Sequence, residues 1–466
     1  MADLWKEGAC ALSEMLERRE ISPLDLLDES LLRIKRMEPV LNAFAYLDPE
    51  GAREAAVASA KRQADGARLG PLDGIPVSVK DNLYVAGMPG CWGSLLLEGY
   101  MPPQDDICVE RLKAGGAIIV GKTTTPEFAL MGRTESRLTG STRNPWDPSL
   151  TPGGSSGGAV ATVASGMVPL ALGTDAGGST RMPASYTGII GLRGSNGRVP
   201  RCYGFPPMAL DFQSVGLFCR TMADLDLLLS VLGRADPRDP ASLLLPPISR
   251  ESGSRRVGWF VSIGKDAADD EVIAAHAEAK DALVAAGHQV TETDPPFDFN
   301  ELLSLWEILT AVGAARAAES LQGNKELLTD QIVGLLNTGS KVSGIDYVRV
   351  LDRLQAFRRE TSSRWGGFDA LLLPSTASPA FDATREAPET IGGRPGSGPV
   401  QGMFCGWVNA MGYCGLNVPG RPHPDGRPIG LQIVVPAGRD NVALQIGREL
   451  EAALPWADRW PPAAMA

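Results

Sequence analysis

Gly153-Gly154-Ser155-Ser156-Gly157-Gly158 and, further along, Asp175-Ala176-Gly177-Gly178-Ser179-Thr180-Arg181 set two Gly-Gly-Ser elements on either side of the apolar run Val168 to Leu172. Glycines let a backbone turn sharply and approach a bound molecule closely, while each serine offers a hydroxyl able to act as nucleophile or proton relay. Read singly, either element is an ordinary flexible turn. Working outward, Ile75 to Val79 and Ala117 to Val120 form further short apolar runs, alternating with helical stretches and glycine-rich turns. Such alternation predicts an α/β fold.

The rest of the chain extends the pattern. Ser22-Pro23 followed by Leu24, Leu27, Leu31 and Ile34 supplies a capping hydroxyl, a first-turn proline and helical apolar spacing. Thr221 to Leu232 and Asp270 to Ala286 read as helices, and Val257 to Phe260 and Ala370 to Pro374 as buried strands. The stretch from about 297 to 365 is mainly helical and is assigned to the substrate pocket. Thr376 to Pro399, rich in proline and glycine, reads as a surface loop. No flexible linker or internal repeat divides the 466 residues, which predicts one large domain.

Lys80 closes the apolar run Ile75-Pro76-Val77-Ser78-Val79 and precedes Asp81-Asn82. Most lysines reach water, but one at the end of a buried strand loses hydration, its pKa falls, and the neutral amine becomes a base.

Together these residues resemble the amidase signature family, whose members carry a Gly-Ile-Pro-Val-x-x-Lys-Asp block, a GGSSGG block and a DxGGSxR block. Here they occur in that order between Leu72 and Val199, with Ser155 75 positions after Lys80 and Ser179 24 after Ser155. Weaker similarities are Arg143-Asn144-Pro145-Trp146-Asp147, Phe368 to Ser375 and Gly430 to Val434. The resemblance implies a mixed central β-sheet flanked by helices, with a signature core at about 70–200. It also implies Ser179 as nucleophile, Ser155 as bridging serine after a cis Gly154–Ser155 peptide, and Lys80 as base. Ala176, Gly177, Gly178 and Ser179 would contribute backbone N–H groups to an oxyanion hole, with Ser156, Asp175 and Arg181 in support. An alternative reading of Asp175 and Arg181 is a surface ion pair. The implied reaction is cleavage of the C–N bond of aryl or alkyl amides, or of the related carbamates (urethanes), through an acyl-enzyme. Esters would be cleaved as a side activity. No metal or cofactor is called for.

Departures from the family pattern concern substrate positioning: Thr124 and Ser136 stand where asparagine is frequent, and Tyr413-Cys414 replaces a common Pro-Ala. Trp92, Met131, Phe205, Pro206, Pro207, Met208, Trp306, Phe404 and Trp407 are candidates for an apolar pocket.

Composition narrows the other classes. Hydrophobic residues at 44% and charged ones at 21% mark a folded globular chain, and the net charge of -11 disfavours nucleic acid and anionic membranes as partners. Seven cysteines without a C-x-x-C pair, and an N-terminus lacking signal-peptide features, predict a cytoplasmic protein. A homodimer is compatible with the sequence. Gly116 to Thr123 matches the phosphate-loop pattern, but its centre reads as a buried strand. Gly153-x-Ser155-x-Gly157 fits a nucleophile elbow; a Ser-His-Asp esterase would then need His276, His288 or His423 as base. A third reading is the catalytic component of a glutamine-dependent transamidation complex, which requires protein and tRNA partners.

Overall fold

The apolar runs become strands of one eleven-stranded mixed sheet in the computed structural model, which describes residues 3–321 and 324–465. In chain order they are β1 (Phe44–Leu47), β2 (Pro76–Lys80), β3 (Ile118–Thr123), β4 (Leu170–Asp175), β5 (Ile190–Arg193), β6 (Ser214–Cys219), β7 (Arg256–Trp259), β8 (Gln289–Glu292), β9 (Ala370–Pro374), β10 (Cys414–Pro419) and β11 (Gly430–Val435). Their spatial order is β1-β3-β2-β4-β6-β5-β10-β11-β9-β7-β8. β2 runs parallel to both β3 and β4, and β7 parallel to β8 and β9; the remaining pairings are antiparallel.

The inner strands are buried along their whole length because helices cover both faces of the sheet. Alternate residues of β3 show this directly. Ile119 joins the core that links Leu172, Leu217 and Ile433 to Leu229 and Ile446 of two helices. Ile118 and Val120 join the opposite core, with Val160, Val163, Leu27 and Ile34. The last two lie on the helix Pro23–Leu41, which starts where the sequence predicts. Ser22 Oγ accepts the Asp25 N–H at 3.1 Å and Asp25 accepts the Ser22 N–H at 2.9 Å.

Helices Phe299–Leu321, Asp330–Gly339 and Gly344–Ser363 fill the expected helical region. The following stretch departs from expectation. Ala377, Ser378 and Ala380 are buried, Thr390–Ile391 pairs with Arg394–Pro395, and Phe381, Glu386 and Pro399 line a cavity together with Ser155 and Ser179. Proline and glycine marked irregular backbone correctly, but burial there depends on distant strands that composition does not reveal. The phosphate-loop match lies largely in buried β3, where Lys122 donates to the Asp81 and Leu83 carbonyls at 3.1 and 2.7 Å. Among the described residues no helix is long and apolar enough to cross a membrane.

Candidate active site

Parallel pairing of β2 with β4, with Val79 opposite Leu172, brings Lys80 and the β4 terminus out at the same edge of the sheet. Carboxyl ends of strands are where open α/β sheets build their sites. The turn Gly153 to Ser156 arrives at this edge and leads into the helix Gly157–Ala164, and its Gly154–Ser155 peptide is cis. Lys80 is fully buried, its Nζ lying 2.8 Å from Ser155 Oγ, 3.0 Å from Ser156 Oγ and 3.2 Å from Thr174 Oγ1. Burial pulls the Lys80 pKa down to about 7; the Asp175 charge opposes that shift and Arg201 adds to it. Asn82 Nδ2 donates to Thr174 Oγ1 at 2.9 Å, and Ser156 Oγ donates to the Thr174 carbonyl at 3.2 Å. A neutral lysine has two N–H bonds and one lone pair. Donation to Ser156 and Thr174 uses both bonds and leaves the lone pair facing the Ser155 hydroxyl.

The second glycine-serine loop is held from beneath. Asp175 accepts from the Gly178 and Thr180 N–H groups at 2.7 and 3.0 Å, from Arg181 Nε and Nη2 at 3.0 Å each, and from Asn409 Nδ2 at 2.8 Å. Arg181 also donates to Gln432 Oε1 at 2.6 Å and Asn409 Oδ1 at 2.5 Å. Both ions have 0% side-chain exposure, which replaces the surface-pair alternative with a buried network. Burial pushes the Asp175 carboxyl up, but the Arg181 guanidinium and the donors around it hold it well below the usual carboxylate range.

Two glycines are fixed by space. Gly178 has φ +122°, and a Cβ on it would sit 2.7 Å from Cys405 Cβ; a Cβ on Gly177 would sit 2.8 Å from the Trp306 ring. Because the Gly178 N–H is committed to Asp175, the Ala176, Gly177 and Ser179 N–H groups are the ones without an intramolecular acceptor among the described residues.

Ser155, Ser179, Ala176 and Gly177 all line a cavity of about 380 Å³. Of the sequence candidates for its wall, Met131, Met208 and Trp306 are there, joined by Leu302 and Phe381. Trp92 instead stacks on Phe205 at 4.7 Å, Trp407 on Phe297 at 4.9 Å, and Phe404 is buried in the same core as Trp407; neither these nor Pro206 and Pro207 line the cavity. Thr124 and Ser136 lie outside the lining too, Thr124 bonding Thr142 and Ser136 bonding Thr139. Sequence reasoning missed the polar wall formed by Gln213, Gln331, Gln401 and Tyr186, and also Thr174 beside Lys80. Only Thr174 carried a signal, as the residue before the second Gly-Gly-Ser element's leading aspartate.

No histidine faces this cavity among the described residues. His276 is buried with Nδ1 on the Val272 carbonyl at 2.8 Å, burial pulling its pKa down to about 4. His288 Nε2 meets Glu449 at 2.7 Å, and His423 sits in a turn beside Asp425.

Ser155 and Ser179 thus share one cavity, with Lys80 buried behind Ser155. The Amidase family model covers residues 25–444. The chain belongs to the amidase signature family. The acylamidase of Rhodococcus erythropolis is 30% identical, with 97% of each chain covered. A glutamyl-tRNA(Gln) amidotransferase component from Acidothermus cellulolyticus is 33% identical, covering 97% of this chain and 95% of the relative. The crystal structure of a bacterial aryl acylamidase of the amidase signature family superposes with a TM-score of 0.89 at 25% identity, covering 99% of both chains. This amidase signature protein thus shares its single-domain architecture, a large mixed sheet flanked by helices, with hydrolases of C–N bonds.

Proposed function

We propose that the chain is a free-standing serine amidohydrolase that cleaves aryl or alkyl amides, and chemically similar carbamates, through an acyl-enzyme. The observation that carries this reading is the buried Lys80, with a pKa of about 7, placed 2.8 Å from Ser155 at the cavity that Ser179 also lines. In this mechanism Ser179 Oγ attacks the carbonyl carbon while its proton passes to Ser155 Oγ and the Ser155 proton to Lys80 Nζ. The oxyanion is stabilised by the free N–H groups of Ala176, Gly177 and Ser179, each such donor being worth roughly 2.7–4 kcal/mol. Gly178 serves the loop's shape through Asp175. Collapse breaks the C–N bond, the relay returns a proton to the departing nitrogen, and water then hydrolyses the acyl-Ser179 ester by the same path.

The cavity also favours this over a glutamine-dependent transamidation role. Glutamine presents an α-carboxylate, yet no cationic side chain lines the cavity among the described residues, whose wall is chiefly apolar. Trp306, whose ring edge meets Gly177, gives this wall an aromatic side chain suited to packing against an aryl group.

The test is hydrolysis of anilides, primary amides, nitrophenyl esters and aryl carbamates by the purified protein beside Ser179→Ala, Ser155→Ala and Lys80→Ala. Amide turnover by the wild type, lost in all three folded variants and kept in His276→Ala, His288→Ala and His423→Ala, supports the assignment. Wild-type rates in Ser179→Ala, or amide turnover only after a partner protein is added, defeat it.

A further inference from the structure

Glu386 is the single charged side chain on the cavity wall among the described residues. The other ionic groups of its segment are occupied. Asp382 Oδ1 accepts from the Thr384 N–H and hydroxyl at 2.8 and 2.7 Å, Arg385 faces Glu389 at 3.7 Å, and Arg394 faces Asp266 at 4.0 Å. Arg133, which reaches the same segment at the Ala383 carbonyl, is paired with Glu135 at 2.7 Å. The Glu386 carboxylate has neither a hydrogen bond nor an ion pair among the described residues. The start of its segment is anchored: Ala383 N–H bonds the Ser149 carbonyl at 2.9 Å, and Thr151 N–H bonds the Phe381 carbonyl at 2.8 Å. An exposed carboxylate, unpaired among the described residues, therefore stands at the solvent side of a chiefly apolar recess, the sole charge on its wall there.

Resting on the hydrolase reading above, we infer that Glu386 determines specificity by favouring substrates with a protonated amine remote from the scissile carbonyl and disfavouring carboxylates. The apolar body of such a substrate would lie against Trp306 and Met208 while its ammonium meets the carboxylate.

Two anilide series test this. In the first, acetanilide carries a 4-aminomethyl, 4-ethyl or 4-carboxylate group on the amine side; in the second, the same groups sit on the acyl side of a benzanilide. Binding is measured by calorimetry on Ser179→Ala, and turnover on the otherwise wild-type chain. The ammonium compound of at least one series is expected to bind about five-fold more tightly than its ethyl analogue, the size of a partly screened ion pair, with the carboxylate weakest. That ratio should fall to about one in E386Q and invert in E386K. Equal affinity of the ammonium and ethyl compounds in both series, no measurable binding of either ammonium compound, or a preference that survives E386Q overturns the inference. A binding preference that obeys Glu386 while the wild type leaves every anilide intact defeats the hydrolase reading alone.

Discussion

Arg181 grips Asp175 through two N–H···O contacts, each 3.0 Å, with both side chains excluded from solvent. The pair sits under the loop from Ala176 to Ser179 and fixes it, since the same carboxylate takes the Gly178 and Thr180 N–H groups. Removing one partner of a buried pair leaves the other uncompensated, at about 3–5 kcal/mol. Arg181→Met is therefore expected to lower unfolding free energy by about that amount in a denaturant titration. Arg181→Lys keeps the charge but cannot reach Asp175, Gln432 and Asn409 together, and is expected to fold while losing at least about tenfold in kcat.

Lys80 gives the pH dependence its sign. With a pKa of about 7 in the folded chain, the amine is neutral above that pH and able to accept a proton, so kcat/KM is expected to fall about tenfold per unit on the acid side. Stability follows the same group. Between about pH 7 and the ordinary lysine value of 10.5 the unfolded chain holds a proton that the folded chain does not, so folding becomes more favourable as pH rises. Measured against Lys80→Met, wild-type stability should gain about 1.4 kcal/mol per pH unit across that window. A difference independent of pH would mean that Lys80 keeps its ordinary pKa when folded.

Lys80, Ser155 and Ser179 were legible because each stands at the edge of a short, glycine-rich or strand-ending block whose composition marks it. The strands were legible for a related reason: a sheet covered on both faces writes continuous apolar runs into β2, β3 and β4. The distant partners of Arg181 were not. Asn409 and Gln432 lie more than two hundred positions away in sequence; Gln432 comes from β11, which packs against the helix Arg181–Thr187, and Asn409 from the helix Gly406–Met411 that precedes β10. The same holds for the cavity wall. Trp92 and Trp306 are equally aromatic in the sequence, yet one stacks beneath Phe205 in a core and the other meets Gly177 with its ring edge. Side-chain chemistry named the candidates; long-range packing chose among them.

Glu127, in the segment that follows β3, ties the helical region to the loop that holds Ser94. It is 4% exposed; it accepts from Ser94 Oγ at 2.6 Å and from Thr329 N–H and Oγ1 at 2.8 and 2.6 Å. Thr329 precedes the helix Asp330–Gly339, which carries Gln331 into the cavity. Glu127→Ala strands three donors and is expected to lower stability by about 1–3 kcal/mol. Hydrogen exchange in Asp330–Gly339 should accelerate, and KM should rise more than kcat falls. Protection unchanged from wild type would show that packing alone seats this helix.

Gly177 and Trp306 offer the sharpest test of how the cavity is built around the loop. An added methyl at Gly177 would stand 2.8 Å from the indole, inside van der Waals contact, so Gly177→Ala must displace either the ring or the backbone N–H groups on each side of it. If the loop moves, transition-state stabilisation is lost, and kcat/KM should fall by about 10²-fold. Trp306→Leu removes the obstructing ring while keeping an apolar wall, so adding it to Gly177→Ala should recover part of that loss. The two substitutions would then be coupled by about 0.5–3 kcal/mol, as expected for residues in direct contact. Additive effects would instead place the harm of the methyl in the loop's own backbone, since relieving the steric conflict would have changed nothing.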